Sequence, residues 1–187
     1  MDKLMFRTFL VLITTVVLGA CSTTPAAFTD YDPAFAFGEA RAVAIKPLNR
    51  SVTSQTVISD MAAQRMNTSL ARALDQRGIV VVDDPAKADL WLTWHLVTQE
   101  RTDVRTYNTM SAHYSRCWSC PMGSSQNVRV RQFTQGTMIV DMLDPAQDRS
   151  VWRSVFESRL RPNMSSNDAE ELRNTAAQAL FADFPPS

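Results

Sequence analysis

From Leu90 to Val97 the chain reads Leu-Trp-Leu-Thr-Trp-His-Leu-Val, and no other stretch limits the fold as much. Side chains of a strand point alternately to opposite faces. Leu90, Leu92, Trp94 and Leu96 therefore share one face, and Trp91, Thr93, His95 and Val97 the other. A strand with one face this apolar needs a second layer to cover it. Val151 to Leu160 alternates in the same way, with Trp152, Phe156 and Leu160 on one side. Before it, Val128, Val130, Phe133 and Met138 to Leu143 form a strand pattern, and the turn Asp144-Pro145-Ala146-Gln147-Asp148-Arg149 joins the two as an antiparallel hairpin.

Two helical stripes supply the covering layer. Within residues 56–77, Ile58, Ala62, Met66, Leu70 and Leu74 recur with helical period, with Met61 and Ala73 beside them. Within 167–184 the stripe is Leu172, Ala176, Leu180 and Phe184, opened by Asn167 and Glu170 at capping-box spacing and stopped by Pro185-Pro186. Gly78 closes the first helix in the left-handed geometry that glycine adopts cheaply, and Ile79 to Val82 reads as a buried strand. With the short strand Arg41 to Lys46, this makes strand, helix, strand by residue 83. The expected fold is an α/β (α+β) sandwich, a mainly antiparallel sheet of about five strands with two helices packed on one face. The strands are expected near 41–46, 79–83, 90–104, 128–143 and 151–160, with a bulge or bend at Gly136.

The amino-terminal end carries an address. A charged start (Asp2, Lys3, Arg7) and an apolar run from Phe9 lead into Leu18-Gly19-Ala20-Cys21. From Phe9 to Ala20 a helix would reach about 18 Å, short of a ~30 Å hydrocarbon core. The layout is that of a secretory signal and resembles the lipobox of bacterial lipoproteins. That resemblance implies lipidation of Cys21 and cleavage before it. With Ser22 next, it also implies an outer-membrane, periplasm-facing location in a Gram-negative bacterium. The expected organisation is a signal peptide over 1–20, lipidated cysteine and tether with an aromatic lead-in over 21–40 (Tyr31, Phe35, Phe37), and a single α/β lipoprotein domain over 41–187. Cleavage leaves 167 residues with a net charge near −1, too neutral to collect nucleic acid by charge. The expected partners are the membrane, through Cys21, and an envelope protein that the sequence does not identify.

Periodicity is lost from about Thr106 to Gln126, a loop longer than the ~12–15 residues usual in compact domains and so the leading site on length alone. It holds Cys117-Trp118-Ser119-Cys120. With Cys21 committed to lipid, Cys117 and Cys120 are an even pair in an oxidising compartment, expected as a structural disulfide. A redox dithiol should open a helix, whereas Pro121-Met122-Gly123-Ser124 is turn composition. The alternative reading, thiol-redox or metal handling, would use His113, Cys117 and Cys120 as soft ligands with His95 as a fourth. His95 on its own reads as a hydrogen-bonded strand residue. Asp83-Asp84 and Asp141/Asp144 flank turns, where carboxylates bond local backbone groups. No nucleophile elbow, phosphate loop or dinucleotide fingerprint is present. The function expected is therefore a non-catalytic binding or structural role in the cell envelope, with no catalytic residue, no cofactor and no metal.

Several pieces together resemble the bacterial lipoprotein family known as domain-of-unknown-function family 4136. They are Tyr31-Asp32 with Phe37-Gly38, Asp83 to Thr93, Arg101 to Val104, Phe133 to Thr137, Asp141 to Asp144, Val151-Trp152-Arg153 and the Phe184-Pro185-Pro186 ending. The resemblance implies an α/β sandwich and an envelope location, and it supplies no catalytic motif.

Overall fold

The computed structural model describes residues 26–48, 58–109 and 125–186. It is a mixed α+β layer structure. The strands are β1 (Phe28–Tyr31), β2 (Ala42–Ile45), β3 (Val80–Val81), β4 (Leu90–Thr109), β5 (Ser125–Asp144) and β6 (Arg149–Leu160), and the helices are α1 (Asp60–Asp75) and α2 (Ser166–Leu180). They form one sheet in the order β1-β6-β5-β4-β2-β3. β2 runs parallel to β3 and β4, as expected where a helix carries the chain back from one strand to the next, and the other neighbours are antiparallel.

The alternation at Leu90 decides which side is core. Leu90, Leu92 and Trp94 are buried with Met138, Val140 and Met142 of β5 and Trp152 and Phe156 of β6. Leu70, Ala73 and Leu74 of α1 and Ala176, Ala177 and Leu180 of α2 close the same core, so both helices lie on one face. Ser69 Oγ donates to Asn174 Oδ1 at 2.9 Å and ties the helices together. At their far ends an Arg77 guanidinium N–H donates to the Ala182 carbonyl at 2.6 Å. No helix among the described residues is long and apolar enough to cross a membrane.

The aromatic lead-in docks. β1 pairs with β6 from Phe28↔Val155 to Tyr31↔Trp152, which makes a sixth strand where about five were expected. Four residues carry too little pattern to read as a strand, and here β6's open edge sets the conformation. Phe37 then meets Phe184 edge-on at 6.2 Å, and Phe184 meets Trp152 at 5.0 Å, so the two ends of the domain share one aromatic cluster.

Several local expectations need correction. Gly136 pairs regularly with Thr98 and Ser158; the register shift lies between Met142 and Leu143, opposite β6 near Val151. A Cβ on Gly136 would sit 3.1 Å from the Leu160 side chain, so glycine there makes room rather than a bend. The cap of α2 is Ser165, whose Oγ accepts from Asp168 N at 3.1 Å, and not Asn167. Phe184 lies beyond the helix end, although it is buried. Met61 is 67% exposed and outside the α1 stripe. Gly78 does end α1 with φ +76°.

The largest difference concerns 106–126. β4 and β5 stay paired from Trp91↔Leu143 to Thr109↔Ser125, so the strands continue well past 104 and resume before 128. Beyond Thr134↔Leu160 neither β6 nor β2 accompanies them, and the pair projects as a two-stranded ribbon. A ribbon wet on both sides buries neither face, and from Thr106 to Thr109 and from Ser125 to Asn127 no apolar alternation marks its period, which is why the sequence there reads as a loop.

Candidate binding site

Where the helical layer stops and the ribbon begins, an apolar groove of about 210 Å³ opens between α1, α2 and the sheet. Its floor is Trp94, Leu96, Met138 and Phe156, with Leu160 at the ribbon end. Ala62 and Met66 of α1 form one wall and Leu172, Arg173 and Ala176 of α2 the other. The helical spacing that buries Leu70 and Leu74 one turn on places Ala62 and Met66 here, half-buried at the groove, with Met66 packed on the edge of the core. Trp94 Nε1 donates to Asn67 Oδ1 at 2.8 Å, which fixes the indole in the floor.

Among the described residues, Arg173 is the one charged side chain of the lining. Its Nε is buried with no hydrogen-bond partner among the described residues. The same arginine also borders a shallow cleft of about 300 Å³ across the two helices, lined by Arg65, Thr68, Ser69, Arg72, Ser166 and Glu170. Three arginines face one glutamate there.

The ribbon presents two unlike faces. On the helix side Val104 pairs with Val130, next to Val128, and all three are more than half exposed. On the other side Arg105 lies opposite Arg129 and Asp103 opposite Arg131, with Arg101 opposite Phe133. Asp103 accepts from Arg105 Nε at 3.3 Å and has Arg159 Nη2 at 3.8 Å. The bond with Tyr107 and the charge of Asp103 raise the Arg105 pKa above the ordinary arginine value. Arg159 lies 4.0 Å over the Phe133 ring.

Carboxylates elsewhere hold the scaffold. Asp84 and Asp144 accept from the N–H two residues on, at 3.0 and 2.8 Å, as turn aspartates do. Asp141 does not. It sits buried on the sheet face away from the helices and accepts from Arg153 Nε and Nη2 at 2.7 and 3.1 Å and from Ser150 Oγ at 3.0 Å. Asp141 in turn raises the Arg153 pKa. Its strand position, directly across from Arg153, overrides the turn-flanking role that sequence proximity implied. Asp89 accepts the N–H groups of Arg41 and Ala42, both at 2.8 Å, and these bonds hold its pKa below the usual value. Asp32 is lowered chiefly by its bond with Arg149 at 2.6 Å, then by the Ala34 N–H.

Of the site residues read from sequence, His95 lies on the sheet face away from the helices, opposite Ile139. Cys21, His113, Cys117 and Cys120 lie outside the described residues. Among the described residues no group of three or more His, Cys, Asp or Glu is placed to hold a metal. Sequence reasoning missed the groove and Arg173. The only signal was the pair of stripes, whose Ala62, Met66 and Leu172 read equally well as ordinary core.

A family model described as Domain of unknown function (DUF4136) matches residues 27–186. No curated protein sequence matches the chain. Among solved structures, a PDZ domain protein from Parabacteroides distasonis aligns at TM-score 0.54 and 12% identity, covering 88% of this chain and 36% of that one. The chain thus spans little more than a third of that protein, and at such identity the likeness shows the fold alone. A DUF4136 family protein from Bacteroides thetaiotaomicron aligns at TM-score 0.49 and 15% identity, over 87% of this chain and 96% of that one. A PelC dodecamer from Paraburkholderia phytofirmans aligns at 0.48 and 12%, over 84% and 94%.

Proposed function

The chain belongs to the DUF4136 family, a domain family of unknown function, and from that premise we propose that it is a lipoprotein anchored through Cys21 at the periplasmic face of the outer membrane. Its folded domain acts there as a non-catalytic binding module for an envelope protein. The address rests on Leu18 to Cys21 followed by Ser22. The binding reading rests on the ribbon, where Val104, Val128 and Val130 stand 58%, 60% and 57% exposed on one side of a strand pair that adds nothing to the core. Exposed β-branched side chains on paired strands with open edges invite another chain to pack or pair there.

One experiment in cells tests both parts. Wild-type chain should fractionate with outer membrane, and Cys21→Ala should stay unprocessed or become soluble in the periplasm. A photo-crosslinking residue at Val104 should give a discrete adduct, lost on Val128→Ser with Val130→Ser. Mature wild-type chain free in the periplasm would end the anchoring reading, and adducts that survive both serines would end the ribbon reading.

A further inference from the structure

We infer that the groove between the helices and the sheet, with the arginine cleft beside it, takes a single acyl chain bearing an anionic head. The groove lies on the same sheet face as the ribbon valines, but none of Val104, Val128 and Val130 lines it, so its occupancy does not rest on the ribbon's partner.

The chain end follows from the lining. Met66, Met138, Trp94, Phe156 and Leu172 offer a continuous apolar surface, and the two thioethers let the walls adapt to a flexible chain. At about 210 Å³ the space exceeds the ~150 Å³ that admits benzene and falls below the ~300–1,000 Å³ of drug-sized sites. A short alkyl chain is what remains.

The head follows from Arg173. Its Nε is buried without an acceptor among the described residues, and a buried donor left unbonded is costly unless something supplies one. Arg65 and Arg72, one helix over, are exposed and make no ion pair or side-chain hydrogen bond among the described residues. With the Ser166 hydroxyl they form a rim of net positive charge, Glu170 being its one carboxylate, to which Arg173 is the link because it borders both spaces. A carboxylate or phosphate there would accept from Arg173 and face two more cations, while its alkyl chain lay over Trp94. A neutral apolar guest would leave the Nε unbonded, and a cationic one would be repelled.

The test uses the chain from residue 21 with Cys21→Ser, which needs no detergent, and four ten-carbon probes below their micellar concentrations: decanoate, decyl phosphate, decanol and decyltrimethylammonium. Calorimetry gives affinity, and the Trp94 indole N–H resonance reports the place. Decanoate or decyl phosphate should bind one per chain, tenfold or more tighter than decanol, and shift Trp94; which of the two is tighter tells a carboxylate from a phosphate head. Shortening the chain should weaken binding about fourfold per methylene. Arg173→Gln should bring the anions to the level of decanol, and Arg65→Gln with Arg72→Gln, both on exposed helix surface, should do so in part. Absence of saturable binding, equal affinity for decanol and the anions, an unmoved Trp94 resonance, or full anion preference in Arg173→Gln would each overturn the proposal.

Discussion

Asp141 and Arg153 form an ion pair whose two ends see different surroundings, so removing either partner should have different costs. The Asp141 side chain is 7% exposed and that of Arg153 56%. A pair buried at both ends costs about 3–5 kcal/mol when one partner is removed, because the other charge is stranded out of water. A pair exposed at both ends is worth about 0–1 kcal/mol. Arg153→Met keeps the length of the apolar stem and strands the buried carboxylate, with Ser150 Oγ as its remaining donor, so the cost should be about 2–3 kcal/mol. Asp141→Asn frees a guanidinium that is already half in water, and Ser150 Oγ retains the Trp152 carbonyl at 3.2 Å as an acceptor. That cost should be about 1 kcal/mol. The double variant no longer carries a stranded charge and should be more stable than Arg153→Met alone by about 1 kcal/mol, so the second substitution stabilises. Urea denaturation at pH 7 measures all three, with the midpoint moving and the slope constant. An Asp141→Asn cost equal to or above that of Arg153→Met, or a double variant below Arg153→Met, would refute the reasoning.

Gly78→Ala should cost about 1 kcal/mol in the same assay; nothing lies within 4 Å of a Cβ there, so the whole penalty comes from holding alanine at φ +76°. Asp32 and Asp89 are both held below the ordinary carboxylate range, so the folded chain favours their charged forms. Their contribution is present above the unfolded value of about 3.9 and is lost as pH falls through the lower folded values. The urea midpoint should therefore decline between pH 5 and 3, and Asp32→Asn with Asp89→Asn should flatten that decline; an unchanged slope would reject the assignment. Protein taken from the periplasm should show Cys117 and Cys120 as a disulfide, about two mass units lighter than the reduced form and resistant to mild reductant, whereas one bound zinc or copper per chain would favour the metal reading.

Residues whose environment is decided within their own element were readable from the sequence. Leu90, Leu92 and Trp94 are buried on the side their alternation assigned, and Leu70 and Leu74 on the stripe the helical period assigned. Gly78 ends its helix for a reason local to one φ angle. What failed depends on a distant partner. β1 is a strand because β6 has an open edge, Gly136 is glycine because Leu160 needs the room, and Asp141 is a buried ion-pair member because Arg153 lies across the sheet. None of these partners is within ten residues in sequence. Ser165 over Asn167 is a different kind of miss: both can cap, and the observed bond from the Asp168 N–H to Ser165 Oγ starts the helix two residues earlier than a cap at Asn167 would.

The groove was invisible for a further reason. Periodicity says that a residue faces the core side of its helix; it does not say whether anything fills the space opposite. Ala62 and Met66 occupy the same stripe as Leu70 and Leu74, yet the latter pair is fully buried while the former lines an opening. The difference lies in the sheet. Under Leu70 and Leu74 the floor is several strands wide, whereas toward the start of α1 it narrows to β4, β5 and the end of β6, with glycine at 136 opposite Leu160. A helix that extends past a full floor leaves the apolar residues of its first turns only partly covered. The narrowing of the sheet and the opening of the groove thus go together: β2 stops at Ile45 opposite Leu92, while β4 and β5 run on with only β6 beside them until Leu160.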